Sequence, residues 1–196
     1  MKQRTNLKKP AATPAPAGAV PSLNIIIDAK GWKAIPRLRA HIRKIAGATA
    51  AALPAKYHFP FVATVLLTGN ARVRMLNRNF RGMDKATNVL SFPQFSAAEL
   101  PKIGKRKGVV ELGDMALALA YTKKESKEHN KLLRNHISHL VIHGLLHLFG
   151  YDHLVDDEAE AMEKLETRIM LNMGLPAPYA PERSENLRRI TTRRKK

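Results

Sequence analysis

The sequence contains no cysteine among its 196 residues. Disulfide bonds are therefore impossible, and no thiolate is available as a nucleophile or as a metal ligand. This excludes thiol-dependent hydrolases and cysteine-ligated zinc sites. A chain without cysteine also fits a reducing compartment, so we expect a cytoplasmic location.

Long hydrophobic runs are missing as well. The longest apolar stretch, residues 140–149, is much shorter than the roughly 20 residues that cross a bilayer. The basic residues near the N-terminus are not followed by the apolar segment of a secretory signal. We therefore expect neither a membrane span nor a signal for secretion.

Acidic residues are few, since 16 Asp and Glu stand against 34 Lys and Arg and give a formal net charge of +18. Such a surplus favours a polyanionic partner, nucleic acid more often than an anionic membrane. Ten of the positive charges lie in two acid-free segments, where they could also be merely solvated: Lys2, Arg4, Lys8, Lys9, Arg188, Arg189, Arg193, Arg194, Lys195 and Lys196.

The chain divides into three parts by composition. Residues 1–21 are rich in proline and alanine and predict a disordered basic N-terminal extension. Residues 22–180 can form one folded domain, because 44% of the whole chain is hydrophobic. Residues 181–196 are predicted to be a basic C-terminal tail.

Hydrophobic periodicity predicts the elements of this domain. Strands are predicted at 23–27, 61–67 and 88–92, with a fourth at 109–110 or 114–119, and a basic loop at 102–108. Helices are predicted at 31–53, 70–78 (capped by Asn70), 132–149 and from Asp156 to Gly174. Strands with intervening helices, then a helical pair, indicate a small α+β or α/β domain. We predict α+β: one domain with a mixed sheet of about four strands packed with helices.

The segment HGLLHLFGYDH carries three histidines at a spacing typical of metal sites. His143 and His147 lie four residues apart, so on a helix both imidazoles leave the same face. Gly150 can end that helix, and His153 then supplies a third nitrogen. Three imidazoles that leave a fourth position open are typical of catalytic zinc. We therefore predict one zinc ion per chain on this C-terminal helix and turn.

Two other readings of the histidine segment stay open. His136 and His139 continue the stripe upstream, where we interpret them as core or supporting residues rather than ligands. The spacing is also that of metzincin proteases, which place a glutamate general base after the first histidine. Gly144 stands there in this chain, so a protease would need another base. Gly144 within a helix indicates a close backbone approach or tight helix packing.

A second segment, MLNRNFRGMDKATNVLSFP at 75–93, collects basic side chains around a glycine turn. Arg78, Arg81 and Lys85 are its cations, and the planar guanidinium of arginine suits phosphate oxygens. A solvated basic turn would carry the same residues.

These segments together resemble the YbeY endoribonuclease family of bacterial ribosomal RNA maturation factors. The resemblance rests on HGLLHLFGYDH with the acidic helix after it, on LNRNFRGMDKATNVLSFP and on ELGDMALA, and it covers roughly residues 23–180. It implies that His143, His147 and His153 are zinc ligands and that Arg81 is the functionally important arginine. It also implies cleavage of single-stranded RNA, with ribosomal RNA and the small ribosomal subunit as partners in maturation and quality control.

The catalytic hypothesis assigns to Arg81 the binding of the scissile phosphate and the stabilisation of its developing charge. The general base stays open between zinc-activated water, Asp152 and a group of the substrate, including the RNA 2′-hydroxyl. The alternative function is a zinc-stabilised ribosome-assembly or RNA-binding factor with little catalysis. A metalloprotease-like hydrolase is the third hypothesis.

Overall fold

A four-stranded mixed sheet forms the centre of the molecule, in a computed structural model that describes residues 21–105, 108–153 and 156–179. The strand order is β1-β2-β4-β3; β2 runs parallel to both β1 and β4, and β3 is antiparallel to β4. The strands are β1 (Ser22–Ile27), β2 (Phe61–Thr68), β3 (Val89–Pro93) and β4 (Val110–Ala118). The predicted fold class, a small α+β domain with a mixed sheet of four strands, is confirmed.

The described residues also contain six α-helices and two short 3-10 turns. The helices are α1 (Leu38–Ala52), α2 (Asn70–Arg81), α3 (Leu100–Gly104), α4 (Leu119–Glu128), α5 (Leu133–Leu148) and α6 (Asp156–Asn172), with turns at Lys30–Ala34 and Ala55–Tyr57. None of these helices has the length and apolar character that crossing a membrane requires. The predicted C-terminal tail, 181–196, and residues 1–20 of the predicted N-terminal extension lie outside the described residues.

The two faces of the sheet bury two apolar clusters of unequal size. Alternate residues of β2, such as Val65 and Leu67, point into the larger cluster with α1, α5 and α6. The smaller cluster lies under α2 on the other face, where Val73 packs with Leu90 and Ala116. Helix α5 contacts β3, β4, α1, α4 and α6, so the histidine segment lies at the centre of the larger layer.

The first predicted helix is wrong at its N-terminal end, over residues 31–37. Residues from Lys30 to Ala34 form a 3-10 turn, and α1 begins only at Leu38. Pro36 explains the break, because proline has no backbone N–H and disfavours the helical conformation in the residue before it. Arg37 then adopts a left-handed φ of 53° at the start of α1.

The middle of the chain departs from the prediction in three further places. Both proposed positions for the fourth strand belong to β4, and Leu119 already begins α4, which was not predicted. A short helix, α3, occupies part of the predicted basic loop. Helix α2 continues to Arg81, and Asn70 does not cap it, because its Oδ1 accepts the backbone N–H of Tyr121 at 3.0 Å.

Candidate metal centre

The three histidines of the predicted metal site converge at the end of α5. His143 and His147 project from the same face of the helix, which ends at Leu148. Gly150 has a φ of +84°, and the chain turns there so that His153 approaches the other two. One ligand atom from each imidazole lies within 4.8 Å of the others, so the group is positioned to hold a metal ion.

Hydrogen bonds fix the tautomers of two of these rings in the form that metal binding needs. Nδ1 of His143 donates to Oε1 of Glu166 at 2.8 Å, and Nδ1 of His147 donates to the carbonyl oxygen of Tyr151 at 2.9 Å. Both acceptors lack a proton, so the Nε2 atoms carry the lone pairs.

The two Nε2 atoms of His143 and His147 lie 3.1 Å apart. Tetrahedral zinc with bonds of about 2.1 Å places two nitrogens roughly 3.4 Å apart. Burial, with the neighbouring His143 and His153, lowers the pKa of His147 to about 4, so this imidazole stays neutral. The residues present therefore fit a divalent cation bound to nitrogen.

Glu166 of α6 is hydrogen-bonded to His143 behind the three-histidine group, and it was not predicted from the sequence. Its side chain is fully buried and accepts hydrogen bonds from His143, from Nε2 of His139 at 2.9 Å and from the hydroxyl of Tyr179. Burial alone would raise the pKa of Glu166, but the bonds from His139, His143 and Tyr179 outweigh it and hold the pKa at about 2. A buried anion behind a ligand imidazole raises its basicity and fixes its orientation.

The sequence did contain a signal for Glu166. The buried stripe of α6 includes Met162, Leu165, Ile169 and Met170, and Glu166 falls inside it. A carboxylate on an apolar helix face is rarely buried without partners.

The upstream histidines support the structure around the site. His136 is buried, and its Nε2 lies 2.9 Å from Oε2 of Glu125 on α4. Glu125 also accepts from Nδ2 of Asn88, a residue in the wall of the metal cleft. His139 contacts Glu166 and Tyr179. Neither His136 nor His139 belongs to the three-histidine group.

Gly144 lets α5 pack closely against the sheet. Its carbonyl oxygen accepts a hydrogen bond from Oγ of Ser91 at 3.1 Å. A Cβ atom at this position would lie 2.1 Å from Cε of Met115, 3.1 Å from Ser91 and 3.3 Å from Val89. Of the two sequence readings of Gly144, the structure shows tight packing of the helix on β3 and β4.

A cleft of about 770 Å³ opens over the histidines, and Arg81 lies in its wall. Arg81 is the exposed last residue of α2, and its Nη2 donates to the carbonyl oxygen of Ser91 at 3.1 Å. The structure thus brings Arg81 and the three histidines to one cleft. Asp152 and Glu158 also line it, whereas Arg78 and Lys85 do not.

A family model and several sequence relatives indicate the same family. A family model described as Endoribonuclease YbeY matches residues 26–174. A protein of Rhodopseudomonas palustris (strain BisA53) named Endoribonuclease YbeY is 42% identical over 163 residues, which cover 83% of this chain and 92% of the relative. A protein of the same name from Nitrobacter winogradskyi is 43% identical over 165 residues, covering 83% and 84% of the two chains.

Among solved structures, the chain is similar to TM1509 from Thermotoga maritima. The identity is 21% and the TM-score 0.47, with 81% of this chain and 99% of that chain covered.

Proposed function

This chain belongs to the YbeY endoribonuclease family, and on that premise we propose that it is a zinc-dependent endoribonuclease specific for single-stranded RNA. Its proposed role is the maturation of small-subunit ribosomal RNA and ribosome quality control, with the small ribosomal subunit as partner and the cytoplasm as location. The observation that carries the proposal is that Arg81, whose guanidinium suits phosphate oxygens, lines the same cleft as three convergent imidazoles.

His143, His147 and His153 are the residues that would hold the metal. A bound zinc ion supplies a Lewis acid for a phosphoryl oxygen or lowers the pKa of a water molecule. The chain's own contribution is to keep both Nε2 atoms unprotonated, through Glu166 and the Tyr151 carbonyl. Imidazole suits several metals, so the identity of the ion is part of the proposal.

Arg81 is proposed to bind the scissile phosphate. Its guanidinium carries five N–H donors, so the hydrogen bond to Ser91 leaves donors for phosphate oxygens. The Oγ of Ser91 in turn donates a hydrogen bond to the carbonyl oxygen of Gly144 on α5, the helix that carries His143 and His147. Through this connection the position of Arg81 is set relative to the imidazoles, which is the kind of preorganisation that stabilises developing charge.

Two sources of the nucleophile can be separated by experiment. Asp152 lines the cleft, and its Oδ1 accepts the backbone N–H of His153 at 2.8 Å, which leaves its other oxygen available to take a proton from water. Alternatively, the 2′-hydroxyl of the RNA loses its proton to a base and attacks the neighbouring phosphate, which forms a 2′,3′-cyclic phosphate and releases the 5′-oxygen of the next nucleotide. A substrate with a single 2′-deoxy sugar at the cleavage position can still be cleaved by water with Asp152 as the base. It cannot be cleaved by attack of the 2′-hydroxyl, which it lacks.

The decisive experiment is a cleavage assay with purified protein on a labelled single-stranded fragment of small-subunit ribosomal RNA. We expect cleavage of the single strand, little cleavage of the same strand in a duplex, loss of activity with chelator and its return with zinc. Binding without cleavage in every metal tested would instead support an assembly factor that uses zinc for stability.

A further inference from the structure

One wall of the cleft is a short segment, Pro93 to Ala97, that leads from the last residue of β3 toward α3. The backbone N–H of Gln94 donates to the carbonyl oxygen of Leu112 at 2.8 Å. The N–H and Oγ of Ser96 both donate to Oε2 of Glu99, at 3.0 and 2.7 Å. Ala97 packs closely on Gly150: a Cβ atom added to Gly150 would lie 2.7 Å from the Cα of Ala97. The wall is therefore held at both ends and against the turn before His153.

Phe95 is the aromatic side chain of this wall. It is half-buried, packs on its inner side against the main core, and lines the cleft. Tyr151 also lines the cleft, but its ring packs against that of Tyr57, with centroids 6.2 Å apart. Among the described residues no aromatic ring packs against Phe95, so a planar group in the cleft can approach it.

Three polar side chains that line the cleft have their donors engaged within the chain. Ser96 donates to Glu99, Asn88 donates to Glu125, and Ser91 donates to Gly144. They offer little capacity to read the hydrogen-bonding edge of a base. Stacking does not need such contacts, because every base has an aromatic face.

From this arrangement we infer that an unpaired base next to the scissile phosphate stacks on the ring of Phe95. The inference rests on the proposed function, and it gives a physical basis for a preference for single strands. A base within a duplex is paired and stacked on its neighbours, and moving it into a pocket requires breaking those interactions. The contact selects unpaired RNA without selecting a base identity.

The test compares Phe95→Leu and Phe95→Tyr with a matched control, Phe59→Leu. Phe59 is also a half-buried phenylalanine on the main core, but it lies outside the cleft lining. Stacking on a side chain is worth about 1–3 kcal/mol per base, so we expect Phe95→Leu to lower kcat/KM on a single-stranded oligonucleotide roughly fivefold or more. Phe95→Tyr, which keeps the ring, and Phe59→Leu should retain nearly all of it.

Abasic substrates separate stacking from a structural effect. Removing the base on one side of the cleavage position should lower wild-type kcat/KM by the same factor, and Phe95→Leu should then cause no further loss. An equal loss from Phe95→Leu on intact and abasic substrates would show that the residue only supports the fold. No loss on the intact substrate would also overturn the inference.

A binding measurement keeps the inference distinct from the proposed function. In the Arg81→Ala protein, whose cleavage should be on the order of 100-fold slower, an oligonucleotide with 2-aminopurine beside the cleavage position can be studied while intact. We expect its fluorescence to be quenched on binding. Adding Phe95→Leu to the Arg81→Ala protein should remove that quenching. Quenching that persists in the double variant would overturn the inference. Failure of the wild-type protein to cleave any RNA would instead count against the proposed function.

Discussion

Nδ1 of His143 on α5 donates a hydrogen bond to Oε1 of Glu166 on α6 at 2.8 Å, and the carboxylate that accepts it is fully buried. The two residues are 23 positions apart, so the packing of the two helices brings them together. The bond keeps the proton on Nδ1 and turns the lone pair of Nε2 toward the other histidines. This relationship makes the orientation of a candidate metal ligand depend on the helix that follows the site.

We predict that Glu166→Gln lowers zinc affinity by about 10- to 100-fold, the usual effect of losing a carboxylate behind a ligand imidazole. Competition with a chromogenic chelator measures the affinity. The control is Glu163→Gln, on the same helix but exposed, which should bind as the wild type does. Unchanged affinity in Glu166→Gln would show that Glu166 stabilises only the helix packing.

We predict that His143→Ala or His147→Ala removes most bound zinc, because only two of the three ligands remain in each. His153→Ala should behave in the same way. His136→Ala, on the same helix but outside the three-histidine group, should keep its metal and lose some thermal stability, since Glu125 then lacks a buried partner. Elemental analysis checks this, and a full equivalent of zinc in the His143 or His147 variant would refute the site.

We predict that Arg81→Ala keeps the fold and the zinc but lowers the cleavage rate on the order of 100-fold, as expected when a donor to a developing anion is lost. Arg81→Lys should recover part of the rate, because it restores the charge but not the planar fork. Arg72→Ala is the control, since Arg72 is exposed on the same helix and does not line the cleft. Wild-type turnover of Arg81→Ala would exclude the residue from the mechanism.

The sequence predicts this site better than its surroundings, for a physical reason. His143, His147 and the turn at Gly150 are related by local helix geometry, which spacing alone reveals. Glu166 and Ser91 reach the site through tertiary packing. The apolar stripe of α6 signals that Glu166 is buried, but local spacing does not reveal which residues it contacts. Arg81 was singled out by resemblance, because its basic segment alone could equally be a solvated turn.

The fold likewise divides into elements that a local apolar pattern reveals and elements that it does not. Strongly apolar elements such as β2 and α5 were predicted close to their observed bounds. Helix α4 was missed because only Thr122 and Ser126 are buried along it, so it has no apolar stripe to recognise. The break before α1 was missed because apolar spacing continues through Pro36, whereas the backbone does not.

The final prediction concerns Gly150, which joins the histidine helix to the turn that carries His153. Gly150→Ala places a side chain on a residue with a φ of +84° and brings its Cβ within 2.7 Å of the Ala97 backbone. Gly174→Ala is a matched control, because Gly174 has a φ of +73° and no atom within 4 Å of the added Cβ. The left-handed conformation alone disfavours alanine by about 1–2 kcal/mol, and both variants share that effect.

The difference between the two variants therefore isolates the contact between the histidine turn and the cleft wall. We expect Gly150→Ala to be destabilised by roughly 1–3 kcal/mol more than Gly174→Ala, the usual effect of overpacking. Denaturant unfolding with excess chelator measures this without a contribution from metal. Gly150→Ala should also bind zinc more weakly, because displacing the turn moves His153, whereas Gly174→Ala should bind it normally. Equal stability of the two variants would mean that Ala97 can move away from the added Cβ without cost, and that its close packing on Gly150 does not hold residues 93–97 in place.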